Sequence, residues 1–199
     1  MDFSLTTGII LVASYLLGSV PFGLVLTRIS GLGDIREIGS GNIGATNVLR
    51  TGRKDLALAT LLLDAGKGAI AVLVTAYMLE MPTYAAAAGM AAFIGHCFPV
   101  FLNFNGGKGV ATFFGTVFAV SWLVGLIAGA AWLLAAAIFR MSSLGGLMAA
   151  ASAPIAGYYL LSGNSWVFLA AMTLVIFVRH RENIGRIIAG TESKISNKK

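Results

Sequence analysis

Two glycine-rich stretches hold much of the polar chemistry of an otherwise apolar chain. They are Gly39-Ser40-Gly41-Asn42-Ile43-Gly44-Ala45-Thr46-Asn47 and Asn105-Gly106-Gly107-Lys108-Gly109-Val110-Ala111-Thr112. Glycines let the backbone approach an anion closely and aim successive N–H groups at it. Ser40, Asn42, Thr46 and Asn47 add neutral donors. Arg50 follows with a guanidinium able to fork onto a phosphate, and Lys108 lies inside the second stretch. These residue types point to phosphate binding. The competing reading of the first stretch is a turn with Ser40 or Asn42 as a helix N-cap. For the second it is a flexible hairpin with an interfacial lysine. The second stretch does not fit G-x-x-x-x-G-K-[ST], so it gives ATP binding no support.

Other reactive residue types are sparse. Asp64 and Lys67 stand three apart inside an apolar run, on one helix face and able to pair. Ionisable residues in such a run are functional suspects, and Lys67 either lines a recess or forms a structural ion pair. His180 lies beside Arg179, Arg181 and Asn183, which suits substrate contact or proton transfer. His96, in Gly95-His96-Cys97-Phe98-Pro99, reads as a buried hydrogen-bonded residue. Two histidines without an acidic cluster do not make a metal site. Cys97, the single cysteine, sits among apolar residues and reads as inert. No G-x-S-x-G elbow is present, so nothing indicates an acyl-serine enzyme.

The elements that position these residues are read from composition. The chain has 199 residues, 57% hydrophobic and 11% charged, against about 25% charged in ordinary soluble domains. Long apolar runs recur, which is the signal of membrane-spanning helices. A compact soluble domain of this length could not hide so much apolar surface. The net charge of +6 is read as the mark of a cytoplasmic membrane face and not of nucleic-acid binding. Met1-Asp2-Phe3 lacks a basic leader, and the first run, Gly8 to Thr27, is read as a retained span with a kink at Pro21. A loop from Arg28 to Asp55 follows. Further spans are expected at 56–79, 84–102, 144–161 and 166–178, then a polar tail. Gly125-x-x-x-Gly129 and the Ala85–Ala92 run would let helices approach closely. Trp122, Trp132 and Trp166 read as interface anchors or packing residues.

Val110 to Phe139 is thirty uncharged residues, about 45 Å as one helix against a hydrocarbon core of about 30 Å. Charge decides between one tilted helix and a hairpin near Ser121. With a hairpin, every Lys and Arg except Lys67 falls on one side, and the other side carries Asp2 and Glu80. With one helix, Arg140 and the tail cross to the opposite face. The positive-inside rule selects the hairpin. The expectation is an all-α integral membrane protein, one domain over 1–199. It has seven transmembrane helices, some short, with the N-terminus outside and the C-terminus cytoplasmic. Two helices of about 14 residues each, about 21 Å long, would place the Gly106–Gly109 loop in a recess. Both glycine stretches and His180-Arg181-Glu182-Asn183-Ile184-Gly185-Arg186 then share the cytoplasmic face.

In order along the chain, Gly39 to Arg50, Gly95-His96-Cys97-Phe98-Pro99 with Gly106 to Thr112, and His180 to Arg186 with Gly190-Thr191-Glu192 resemble three signatures. These are signatures of the bacterial acyl-phosphate-dependent glycerol-3-phosphate acyltransferases, the PlsY family. Leu63-Asp64-x-x-Lys67-Gly68 matches a further recurrent stretch. The family often has a basic residue where Asn105 stands. The resemblance implies a multi-pass enzyme of the bacterial inner membrane, its site facing the cytoplasm. That enzyme moves a fatty acyl group from acyl phosphate to the 1-hydroxyl of glycerol 3-phosphate, without a cofactor or metal. Its partners would be these two substrates and membrane lipid, with no nucleic acid, and a monomer would suffice.

On this reading Ser40, Arg50 and Lys108 would hold the acceptor phosphate, with Lys108 shared with the donor, and Gly41, Asn42, Gly44, Thr46 and Asn47 would hold the donor phosphate. His180 and Asn183 would contact the glycerol hydroxyls, with either His180 or a substrate phosphate oxygen as base. Lys67, Gly106, Gly107, Gly109, Thr112 and Glu192 complete the expected substrate-binding set. A transporter or anion channel, and a non-catalytic lipid-binding protein, are the alternatives from other classes; the crowding of polar groups on one face and the lack of a repeat argue against transport.

Overall fold

The computed structural model describes residues 4–195. These residues form helices and connecting turns, with no strand among them. The elements are α1 (Leu5–Ser19), α2 (Phe22–Ile29), α3 (Ala45–Val48), α4 (Lys54–Leu79), α5 (Pro82–Cys97), α6 (Val110–Val120), α7 (Trp122–Phe139), α8 (Ser142–Leu160), α9 (Ser165–Arg179) and α10 (Arg181–Ile188). Among the described residues three helices, α4, α7 and the stretch Pro82–Leu102, are long and apolar enough to cross a membrane. The bent pair α1 and α2 makes a fourth if counted as one span.

Glycine sets how closely the helices meet. A Cβ at Gly115 of α6 would lie 1.8 Å from the carbonyl oxygen of Ala65 in α4, and one at Gly68 of α4 would lie 2.4 Å from that of Thr112. The two backbones are thus in mutual contact, which only a residue without a side chain permits. α1 and α5 meet in the same way. Around these contacts Phe93, Phe113, Val117, Leu169, Met172 and Ile176 form a core drawn from α5, α6 and α9.

The expected kink at Pro21 is present: α1 and α2 meet at 41°. Proline has no N–H and interrupts the helical ladder, and tighter turns close the gap, Val20 N donating to Leu17 O at 3.3 Å and Phe22 N to Val20 O at 3.1 Å. Lys67 Nζ donates to Val20 O at 3.0 Å. The same nitrogen lies 2.9 Å from Asp64 Oδ1 and 3.0 Å from His96 Nδ1. Lys67 is only 1% exposed, so a buried charge cluster ties the kink to α4 and α5.

The expected break at Ser121 is also present. Ser121 ends α6 and caps α7, its hydroxyl accepting from Val124 N at 3.4 Å. The two helices are unequal, 11 and 18 residues, not the two matched short helices expected. α6 starts at Val110 as expected, behind Gly109 at φ +83°, and the break at Ser121 comes after only 11 residues, so α6 is the short helix. The stretch expected as loop from Arg28 to Asp55 contains the end of α2, two 3-10 turns, α3 and the start of α4. Buried Ile35 and Val48 pack there against Leu24 and Leu56, giving it a small core of its own. The polar tail contains α10, whose short amphipathic sequence falls below the length of a span.

The charge cluster yields a stability prediction. Replacing Lys67 by Met leaves Asp64 buried without its cation, a change that typically costs about 3–5 kcal/mol. Unfolding in detergent should show that loss, and the double variant Lys67→Met/Asp64→Leu should recover most of it. A double variant no more stable than the single would show that the pair is not what holds the kink.

Candidate active site

A cavity of about 610 Å³ opens where the glycine stretches, the loop-side ends of α6 and α8, and the α9–α10 corner converge. Its polar end takes Ser40, Asn42, Thr46 and Arg50 from the first stretch and Lys108 from the second. His180, Asn183, Arg186 and Glu192 come from the C-terminal part. An adjoining pocket of about 170 Å³ shares Ser40, Asn42 and Lys108 and adds Gly41, Gly106 and Arg179. Three stretches far apart in the sequence therefore build one site.

The first stretch is shaped by Asn47. Its side-chain oxygen accepts from Ser40 N at 3.0 Å, and its Nδ2 donates to Ile35 O and Ile38 O, each at 2.9 Å. Asn47 lines the cavity but is 1% exposed, and its amide is occupied with holding the loop. Gly39 has φ +59°, and a Cβ there would lie 2.6 Å from both Arg50 Nη1 and Asn47 Oδ1. The glycine thus lets the guanidinium fold against the loop. Arg50 has no acidic partner among the described residues, so its charge is available to an anion. Neither Ser40 nor Asn42 caps α3: the N-cap is Gly44, and Asn42 Oδ1 accepts from Gly44 N at 3.1 Å. The N–H groups of Ala45 and Thr46 open α3 and have no partner within the helix; both residues line the cavity.

The second stretch is held from two sides. Gly107 N donates to His96 O at 3.0 Å. Arg179 donates from Nε to Gly107 O at 3.0 Å and from Nη2 to Gly106 O at 2.6 Å. A Cβ at Gly107 would lie 2.1 Å from His96 Nε2, so the loop lies directly on the imidazole. Lys108 Nζ, thus presented, donates to Asn183 Oδ1. Burial, reinforced by the Arg186 charge, pushes the Lys108 amine below its ordinary value.

The third stretch is ordered by Glu192. Its Oε1 accepts from Ser143 at 2.7 Å and from Asn183 Nδ2 at 2.6 Å, and its Oε2 from Arg186 Nε at 2.7 Å. Burial raises its carboxyl, but these three donors outweigh it and hold it below the usual carboxylate range. Glu192 thereby fixes Asn183, which in turn fixes Lys108. His180 Nδ1 lies 2.8 Å from Ile176 O. A carbonyl can only accept, so Nδ1 carries the proton and Nε2 keeps its lone pair. Burial pushes the imidazole down to about 4, so the ring is neutral near pH 7.

Most of the expected residues are brought together. Ser40, Asn42, Gly44, Thr46, Arg50, Lys108, Gly109, His180, Asn183 and Glu192 line the main cavity, and Gly41 and Gly106 the adjoining pocket. Lys67, Gly107 and Thr112 line neither. Lys67 is consumed by Asp64, His96 and Val20, while Asp64 and His96 do reach the cavity. Thr112 is buried with its hydroxyl unpartnered. Sequence reasoning missed Arg179 as the clamp on the glycine loop, and Ser142 and Ser143 on the rim. Arg140-Met141-Ser142-Ser143 lies directly after the hairpin, so the charge argument already placed those serines on the site's face.

Much of the remaining lining is apolar. Leu61 and Ala65 of α4, Phe114 and Phe118 of α6, and Trp132 and Leu133 of α7 continue it away from the charges. Leu61 and Leu133 are exposed on the outer surface.

Comparison with known proteins identifies the family. The family model described as glycerol-3-phosphate acyltransferase matches residues 8–190. A glycerol-3-phosphate acyltransferase of Jannaschia sp. (strain CCS1) is 57% identical over 192 residues, 96% of this chain and 94% of the relative. One from Caulobacter vibrioides (strain NA1000 / CB15N) is 56% identical, covering 98% of this chain and 90% of the relative. The crystal structure of PlsY (YgiH), an integral membrane glycerol 3-phosphate acyltransferase in its glycerol 3-phosphate form, superposes with a TM-score of 0.91. It is 36% identical, with 96% of each chain covered. Its lysophosphatidic acid form gives 0.88 at 35% identity, with 95% of each chain covered. With a matching family model over nearly its whole length and relatives above half identity, this chain belongs to the glycerol-3-phosphate acyltransferase family.

Proposed function

We propose that the chain transfers a fatty acyl group from acyl phosphate to the 1-hydroxyl of sn-glycerol 3-phosphate. The products are 1-acyl-sn-glycerol 3-phosphate and inorganic phosphate, and the step is the first acylation of phospholipid synthesis. One observation carries the reading: a single cavity joins a cationic end to an apolar groove. A phosphate ester and an acyl phosphate together present two phosphates and one hydrocarbon chain, which is what such a cavity can hold.

Acyl phosphate is a mixed anhydride and is already activated. The acceptor hydroxyl attacks the acyl carbonyl carbon, the bond from that carbon to the phosphate oxygen breaks, and phosphate leaves with the bonding pair. No cofactor or metal is required. Arg50 and Lys108 hold the phosphates and offset the charge that develops on the leaving group. Ser40 donates to the acceptor phosphate, and the first-turn N–H groups of Ala45 and Thr46 face the donor phosphate. Ser40 Oγ has only the Asn47 amide oxygen beside it, at 3.3 Å, and no base to activate it as a nucleophile.

His180 Nε2 accepts the hydroxyl hydrogen bond and aims the oxygen, with Asn183 beside it. Burial holds the imidazole below its ordinary value, and in this reading a substrate phosphate oxygen takes the proton, with His180 aiming the hydroxyl.

The protein is placed in the bacterial inner membrane with seven spans, α1 with α2 counting as one and α6 as a short one. The N-terminus is outside and the cavity faces the cytoplasm, where glycerol 3-phosphate is met. The apolar groove opens to lipid. In this reading the protein works as a monomer.

Purified protein given acyl phosphate and glycerol 3-phosphate should release lysophosphatidate and phosphate in equal amounts. Uptake of glycerol 3-phosphate into vesicles without turnover would instead make it a transporter. Replacing His180 by Gln should cost less than about tenfold in kcat, with KM for glycerol 3-phosphate raised; a loss of about 100-fold to 10,000-fold in kcat would make the imidazole the general base.

A further inference from the structure

The apolar part of the cavity follows one stripe of α6, through Val110, Phe114 and Phe118. Val110 to Phe118 is about 12 Å along the helix axis, and Val110 lies just beyond Lys108. α7 returns beside this stripe and brings Gly129 over the far end. A Cβ built at Gly129 would lie 4.0 Å from Phe118 Cζ and meet nothing closer.

Gly129 differs in this from the glycines that bring helices together. A Cβ at Gly115 would meet a carbonyl at 1.8 Å, and one at Gly125, one turn before Gly129, would meet the Phe118 ring at 2.4 Å. Packing requires glycine at those positions. At Gly129 it does not, and a glycine inside a helix is less favourable than an alanine. What the missing side chain leaves free is space beside the tip of the Phe118 ring, in a cavity that both residues line.

We infer that Gly129 and Phe118 set the length of acyl chain that the cavity accepts. The clearance at Gly129 lets a long chain pass over Phe118. The inference rests on the proposed acyl phosphate donor.

The test compares octanoyl phosphate, which ends short of Phe118, with hexadecanoyl phosphate, which extends past it. Gly129→Leu places a branched side chain across the ring. It should lower kcat/KM for hexadecanoyl phosphate by about tenfold or more and leave octanoyl phosphate within about twofold. Gly66→Leu on α4 is the control, since a Cβ there meets nothing within 4 Å and Gly66 does not line the cavity; its ratio should match wild type. Equal losses on both chains in Gly129→Leu, or the same shift in Gly66→Leu, would overturn the inference. If Gly129→Leu does not fold, Phe118→Ala should raise activity on icosanoyl relative to hexadecanoyl phosphate, and an unchanged ratio would overturn it. A wild-type protein active on no acyl phosphate would overturn the donor reading as well, whereas wild-type activity with unshifted variants overturns only this inference.

Discussion

The site depends on one chain of hydrogen bonds running from Arg186 through Glu192 and Asn183 to Lys108. It joins the tail beyond α10 to the loop before α6. Without it Lys108 would be a flexible lysine on a glycine loop, and Asn183 would be free to turn away from the cavity. Glu192 can do this because it is nearly buried and both its oxygens are engaged. In surroundings of low polarity a satisfied carboxylate is a strong organiser, and an unsatisfied one would be costly.

The same constraint governs the glycine loop itself. Irregular backbone packed among helices persists where protein satisfies its polar groups. His96 and Arg179 do so by taking one N–H and two carbonyls of Gly106 and Gly107. His96 is itself held by Lys67, which also donates to Val20 O at the α1–α2 kink. The path from the kink to Lys108 thus contains a polar contact at every step. Three of the glycine N–H groups expected to face an anion are in fact used inside the protein: Gly41 donates to Ile38 O, Gly44 to Asn42 Oδ1 and Gly107 to His96 O. Those three N–H groups are therefore not what the site offers a ligand.

Much of this was legible in the sequence. The charge distribution selected a hairpin over one long helix across 110–139 and grouped the three polar stretches. The breaks at Pro21 and Ser121 follow from residue chemistry. Other features were not legible. Asn47 and Glu192 look like ligands in a motif, yet their side chains are spent on protein partners, a difference that lies in long-range contacts. Arg179 looked like an ordinary basic residue at the end of a span; its role depends on the approach of α9 to the glycine loop, which periodicity does not encode. α10 was hidden because a two-turn helix gives too short a pattern.

The central claim is that one cavity holds both phosphates and that the acyl group passes directly between substrates. Phosphate exchange tests it most directly. Protein incubated with acyl phosphate and isotopically labelled inorganic phosphate, without glycerol 3-phosphate, should put no label into acyl phosphate, because no acyl-enzyme forms that phosphate could attack. Incorporation of label in the absence of acceptor would reveal a covalent acyl-enzyme and contradict the account.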